Sequence, residues 1–444
     1  MNGPTISGGN LKSKIQNPQS KTLPMLWHIS MRYLLAHKRQ TLVCVAGVTI
    51  SVMMFLAMFA MMQGFRNKFI IETVESNGHV VVDDEPRERQ TPILERAYPD
   101  PHAVLVLERP KPREQVKQIR HPVGLLAKIR ALPYVVAAAP EVTGSVIATY
   151  GTKTFPIEVI GVEPQQQERV TTIGEKLVEG SFTRLRSTAD GVVLGQGVAL
   201  TLGAHVGDAI SLVASKLDGT PGGRAHARVV GIFQTGVVPV DYSRIYMLLN
   251  DAQTLLDKKN IVNRITVRTD DYVQARAYAA QIEAIGGYKT ESWQETNENF
   301  LKIFAIQDLI TYIITGAILV VAAFGVLNIL IMAVLERIND IAILRSYGFS
   351  RRDITLIFVI QGLAIGLAGA CLGLVLGKLM IEGLRRLRIP MEGLVKAEGL
   401  LMSESRGMYL TAFVASVVVV LLASAYPARR AARYDPVAVI RGAH

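Results

Sequence analysis

Four long uncharged apolar runs, residues 41–63, 309–335, 354–377 and 407–428, constrain this chain more than any motif does. Each reaches the roughly 20 residues a helix needs to cross about 30 Å of hydrocarbon. Each is apolar on every side, whereas a helix on the surface of a soluble protein carries one apolar stripe. The runs predict an α-helical membrane protein with four transmembrane helices. Between the first two, about 240 residues turn to short alternating patterns, and these predict a large α+β domain inserted between helices 1 and 2.

The predicted organisation follows from those boundaries. Residues 1–24, rich in Asn, Gly, Ser, Lys and Pro, read as a disordered cytoplasmic tail, and 25–40 as a juxtamembrane segment. Helix 1 covers 41–63, the external domain with its stalk 64–308, and helix 2 309–335. A cytoplasmic helix and loop occupy 336–353, helix 3 354–380, an external loop 381–406, helix 4 407–428 and a cytoplasmic tail 429–444. The first run resembles a secretory signal, but it is too long for one, and bulky Met61, Met62 and Phe65 stand where a cleavage site needs small residues.

Charge sets the orientation. The chain carries a formal +11, with Lys and Arg concentrated beside the apolar runs, which points to membrane surfaces and away from nucleic acid. Lys21, Arg32, Lys38 and Arg39 place the N-terminus in the cytoplasm by the positive-inside rule, and Arg429, Arg430, Arg433 and Arg441 place the C-terminus there too. The 381–406 loop conflicts with the rule, since it holds Arg385, Arg386, Arg388, Lys396 and Arg406. A short amphipathic helix lying on lipid headgroups would reconcile it; a re-entrant third run is the alternative.

Within the inserted domain, residues 78–82, 142–150, 155–162, 192–194, 209–213, 228–233 and 264–267 read as strands and 122–132, 251–256 and 272–285 as helices. Residues 83–122 hold seven prolines and predict a poorly ordered insertion. Residues 215–228 read as a protruding flexible loop, or as an ordinary hairpin turn. Phe300, Ile303, Phe304 and Ile306 recur on a helical period and predict a stalk running into helix 2.

No catalytic or metal-ligating constellation stands out. The eight histidines are scattered, and the run from Gly373 to Lys378 lacks phosphate-loop spacing. Both cysteines, Cys44 and Cys371, lie inside apolar runs and read as packing residues. Gly362, Gly366, Gly369, Gly373 and Gly377 recur every three or four residues along helix 3 and predict a close helix-packing face. Met54, Met58, Met61 and Met62 share a helical period on helix 1, as flexible cavity wall or as simple packing.

Residues 335–354 read LERINDIAILRSYGFSRRDI, a short amphipathic helix closed by Gly348. This wording resembles the "ERxxDIAILRxxGxSRRxI" stretch of the FtsX/MacB-like permeases of type VII ABC transporters, most closely those of the LolC/LolE type. The likeness extends to Arg32-Tyr33-Leu34-Leu35-Ala36, Met62-Gln63-Gly64-Phe65, Gln361-Gly362 and the Tyr426-Pro427-Ala428-Arg429-Arg430 end. The resemblance implies a non-catalytic permease subunit of the inner membrane. It would pair with itself or a sister permease and dock two copies of a separate subunit that binds ATP and Mg. Docking would involve Glu336, Arg337, Asp340, Ile341, Leu344, Arg345 and Tyr347. The substrate would be an acylated lipoprotein, entering a cavity lined by Met54, Met58, Met61, Met62 and Phe324. A periplasmic carrier would dock on a loop holding Leu217, Pro221 and Arg224. The resemblance leaves room for an efflux permease working with a periplasmic adaptor, or an FtsX-like signalling protein.

Overall fold

The computed structural model describes residues 23–84, 118–215, 221–389, 391–393, 395–397 and 399–433. The expected N-terminal tail and nearly all of the proline-rich insertion lie outside them. The chain forms two compact units. One holds residues up to Gln63, Asp308–Arg386 and those from Met402 on; the other holds Gly64–Gln307 and Leu387–Leu401.

The first unit is built on four helices long and apolar enough to cross a membrane: α2 Lys38–Asn77, α10 Glu298–Glu336, α12 Arg351–Arg385 and α13 Arg406–Ala431. Helices α2 and α10, of 40 and 39 residues, would each span about 60 Å, well beyond the hydrocarbon. Ser350 and Asp353 form a capping box that starts α12, and Ser405 caps α13 through the Met408 amide.

The helix 3 glycines explain how the bundle closes. A methyl group on Gly362 would lie 2.4 Å from Ser424 Cβ, and one on Gly366 3.3 Å from Val420 Cβ, both on α13. On Gly369, Gly373 and Gly377 it would meet Val48, Val52 and Leu56 of α2, at 2.7, 2.6 and 2.6 Å. The stripe is therefore two docking grooves in series, one for each neighbour. The Thr49 hydroxyl donates to the Gly369 carbonyl at 3.3 Å, a contact that only such close approach allows.

The sequence reading offers an amphipathic helix after the third run, or a re-entrant third run; among the described residues no separate helix stands between α12 and α13. Helix α12 continues to Arg385, and Met391–Glu392 and Lys396–Ala397 pair as a small antiparallel ribbon. Arg385 pairs with Glu382 and, at 2.9 Å, with Glu404, and Arg386 with Glu382 at 3.7 Å. By sequence, five basic residues in 381–406 stand with Glu382, Glu392, Glu398 and Glu404, so its net charge is only +1. Local pairing thus accounts for two of the five charges, Arg385 and Arg386, that the positive-inside count treated as free.

The second unit combines two lobes sharing one long strand. Strand β2 Val135–Tyr150 pairs through its first half with β9 Arg264–Thr269. Strand β9 in turn pairs with β1 Val80–Asp83, and β1 with β10 Thr290–Ser292. The helices Pro122–Arg130 and Ala275–Gly286 contribute Leu125, Ile129, Ala279 and Ile282 to that lobe's core. Its second half pairs with β3 Lys153–Val162 and with β6 Ala209–Ser215. Strand β3 continues to β8 Arg244–Leu248, β8 to β5 Gly191–Gly195, β5 to β7 Pro221–Phe233, and β7 back to β6. The six strands close a barrel around Val146, Val159, Leu194, Leu212, Val229 and Met247, so each of them has a neighbour on both sides.

The four residues expected on the stalk divide into two sets. Phe300 and Phe304 pack tilted or edge-on against Phe65 and Phe69 of α2, with ring centroids 5.2 to 5.9 Å apart, while Ile303 and Ile306 are exposed. In this unit the start of α10 is clasped to the end of α2 by aromatic pairs. The 387–401 segment belongs here too. Val395 is fully buried and bridges to Val237, and the Lys396 amide donates to the Gly236 carbonyl at 2.8 Å.

Candidate functional site: the coupling helix and the exposed membrane faces

Helix α11 Ile338–Ser346 follows α10 after a break at Arg337. It ends as its sequence demands: Gly348 adopts φ +86, the Phe349 amide donates to the Leu344 carbonyl at 3.2 Å, and the Gly348 amide to that of Arg345 at 3.0 Å. Those two bonds make a Schellman motif, with Phe349 folded back beside Leu344 in one apolar cluster.

Burial divides α11 into two faces. Ile341 and Ala342 are buried, Ile341 in one cluster with Val334, Ile354 and Phe358, and Leu344 packs on the same cluster. Ile341 and Leu344, expected to meet a partner directly, are therefore turned inward and hold the helix in place. Glu336, Asn339, Asp340, Ile343, Ser346 and Tyr347 face outward along one helical stripe. Ile343 is 50% and Tyr347 76% exposed, so an otherwise polar stripe presents two large apolar groups to the surroundings. The sequence reading passed over Ile343 because a run of Ile341, Ile343 and Leu344 does not reveal which one points out.

Arg337 fixes the base of that stripe. Its guanidinium lies 4.1 Å from the centre of the Tyr33 ring and donates to His37 Nδ1 at 3.0 Å. His37 Nε2 faces Glu336 at 3.5 Å, and Arg337 also pairs with Asp340 at 3.5 Å. Tyr33 lies on α1 Leu23–Ala36, whose Ser30 hydroxyl donates to Ile357 O at 3.0 Å. Helix α1 thus braces α11 and α12 together. Arg337 acts within this brace, not as a free contact residue; Arg345 is half-buried at the edge of the stripe.

Of the expected cavity residues, Met54 and Met61 are 44% exposed, Met58 is half-buried and Phe324 is 63% exposed. Met62 is turned into the bundle at 7% exposure, one position around the helix from Met61, and leaves the set. Val43, Ile50, Met54 and Met61 follow one another as a continuous exposed stripe on α2.

The expected carrier loop is largely a hairpin. Strands β6 and β7 pair from Ala209↔Arg228 to Ser215↔Pro221, so the freely protruding loop expected over 215–228 is a paired ribbon from 221 onward. Arg224 is exposed on β7 opposite Val213, Pro221 begins the strand, and Leu217 lies outside the described residues. Among the described residues no group of three His, Cys, Asp or Glu side chains is placed to hold a metal.

The comparisons with known proteins bear on this architecture as a whole. The MacB-like periplasmic core domain family matches residues 41–285, and the FtsX-like permease C-terminal family matches 312–436. The chain belongs to the FtsX/MacB-like permeases. Among relatives of this permease, the lipoprotein-releasing system transmembrane protein LolC of Neisseria meningitidis is 26% identical, over 93% of this chain and 98% of its own length. LolE of Haemophilus influenzae is 28% identical over 77% of this chain and 85% of its own. The macrolide export ATP-binding/permease protein MacB of Pasteurella multocida is 23% identical over 93% of this chain but only 59% of its own. The permease is accordingly a type VII ABC transporter membrane subunit related to LolC and LolE, with a MacB-like domain between its first two membrane helices.

Proposed function

We propose that this permease extracts lipoproteins from the outer leaflet of the inner membrane and passes them to a periplasmic carrier, driven by a separate ATPase. Its near full-length correspondence with LolC, a protein named for lipoprotein release, carries the reading. Both termini would lie in the cytoplasm, leaving the barrel domain outside. The ATPase, holding ATP and Mg, would dock on the Glu336, Asp340, Ile343 and Tyr347 stripe, with Ile341 and Leu344 anchoring that stripe to the bundle. A push there would reach α10 directly through Arg337 and α12 through the buried Phe349 and Ile354.

Met54, Met58, Met61 and Phe324 would line the path of the acyl chains, since flexible thioethers adapt to chains of different shape. A second permease, identical or a sister chain, would complete that cavity, and the β6–β7 hairpin with Arg224 would meet the carrier. Replacing Met58 and Phe324 by Glu and Lys in a strain relying on this permease should abolish lipoprotein release while the complex still assembles. Normal release would end the cavity assignment. MacB-like efflux is the second reading, supported by the Pasteurella multocida relative's match across 93% of this chain; it predicts a periplasmic adaptor in place of a carrier.

A further inference from the structure

Helix α1 carries an apolar face that the rest of its unit leaves open. Leu26 and Ser30, at 2 and 0% exposure, mark its buried side. Leu26 shares one buried cluster with Val334 of α10, Ile354 of α12 and Ala428 of α13. Those three residues stand where the apolar runs 309–335, 354–377 and 407–428 begin or end, so α1 packs at the level where three spanning helices leave the hydrocarbon. Trp27, Met31 and Leu35 recur every fourth residue on a different side of α1, with Trp27 46% and Leu35 65% exposed and Met31 half-buried. Farther along the chain, Leu42 and Val43 in the first turns of α2 are 69 and 60% exposed. One apolar stripe at that level, opened by an indole, suits the zone between headgroups and acyl chains, where Trp is favoured.

The charge beside the stripe has one sign. Arg32, Lys38 and Arg39 are exposed, and among the described residues none of them meets a carboxylate. No Asp or Glu precedes Glu72 in the sequence, whereas six Lys and Arg lie between residues 12 and 39. A docked protein would have to bring an apolar ridge and unopposed acids side by side. Anionic lipid brings acyl chains and phosphates together at the level where α1 packs.

We propose that α1 and the first turn of α2 form a surface for anionic phospholipid, with Trp27, Met31 and Leu35 among the upper acyl chains and Arg32, Lys38 and Arg39 on the phosphates. Tyr33 and Ser30 of the same helix hold Arg337 and the Ile357 carbonyl, so lipid that fixes α1 also steadies α11 and α12. The proposal stands whichever side of the membrane the N-terminus occupies and whatever the permease carries.

Tryptophan fluorescence of the full-length chain in bilayers tests it. The chain has two tryptophans, and Trp293 is only 7% exposed, in the other unit. Trp293→Phe leaves Trp27 as the sole indole; if that variant does not fold, the difference between wild type and Trp27→Phe gives the same signal. The bilayers mix phosphatidylcholine and phosphatidylglycerol, with one of the two brominated either near the headgroup or near the chain end. Bromine near the headgroup should quench Trp27 at least about twofold more than bromine near the chain end, and aqueous acrylamide should quench little. Brominated phosphatidylglycerol should quench at least about twofold more than brominated phosphatidylcholine at the same mole fraction. Replacing Arg32, Lys38 and Arg39 together by Gln should bring the two lipids to equality, as should molar salt. The proposal is overturned by acrylamide quenching without lipid quenching, which puts Trp27 in water, or by quenching from neither, which puts it under another protein surface. Equal quenching by the two lipids in the unsubstituted surface, or a preference that the triple variant keeps, overturns it as well.

Discussion

Replacing Gly373 by alanine tests the packing of the bundle where it is tightest. The new methyl carbon would lie 2.6 Å from Val52 Cβ, 2.8 Å from Val52 Cγ1 and 3.0 Å from the Thr49 carbonyl. Carbon pairs are comfortable at about 3.5–4.0 Å, so α2 and α12 must part by about 1 Å, and most neighbouring contacts in that groove weaken with them. Overpacking of this kind costs about 1–3 kcal/mol. Alanine's intrinsic advantage in a helix, about 1 kcal/mol, opposes it and would blur a simple comparison with wild type. Gly325→Ala removes that term. Gly325 lies mid-helix on α10 with no atom within 4 Å of its added methyl, so it gains the propensity without the clash. The two variants should therefore differ by about 1–3 kcal/mol, a roughly 5- to 150-fold difference in the folding equilibrium. Reversible unfolding of the purified chain in mixed detergent micelles measures this. Equal stability of the two variants would refute the view that the glycine stripe is there to admit α2.

Ile343→Glu and Tyr347→Ala should each weaken copurification of the ATPase at least tenfold while leaving thermal unfolding within about 0.5 kcal/mol of wild type, because both side chains are exposed. Ile341→Glu, by contrast, buries a charge and should destabilise the chain itself by several kcal/mol, visible as a lost cooperative unfolding transition. His79 is buried, and desolvation first, with Arg268 second, holds its pKa down to about 4; its Nδ1 accepts from the Thr269 amide at 3.1 Å. The unfolded chain takes up a proton near pH 6.5 while the folded one does not, so stability is lost as pH falls from about 6.5 to 4, by about 3 kcal/mol in all. His79→Gln should flatten that slope in a pH series of thermal unfolding. Arg264→Met leaves Asp83 and Glu158 without a shared cation and should cost about 3–5 kcal/mol by denaturant titration.

The membrane helices were legible because hydropathy over 20 residues is a local property, and so was the glycine stripe, because spacing alone puts its members on one face. Which helix each glycine receives was not, since only the tertiary arrangement matches Gly362 to Ser424 and Gly373 to Val52. Barrel closure was equally hidden: it depends on β6 pairing with β2 about 65 positions earlier, and the alternation in either strand gives no partner. Strands 177–180 and 290–292, LVEG and TES, carry no clear apolar alternation, and 244–248, RIYML, was not read as a strand. At the coupling helix the amphipathic period was visible, but a break at Arg337 resets the phase. Ile341 and Ile343 could then not be assigned to faces from sequence. The 381–406 loop misled because its arginines were counted without Glu382 and Glu404 beside them.

The most direct test is mass spectrometry of the complex purified through this chain in mild detergent from cells that express it natively. The account predicts a small ABC ATPase in twofold proportion to the paired permeases, together with acylated peptide from bound lipoprotein. An ATPase accompanied by a periplasmic adaptor or a cell-wall hydrolase, with no acylated peptide, would contradict it.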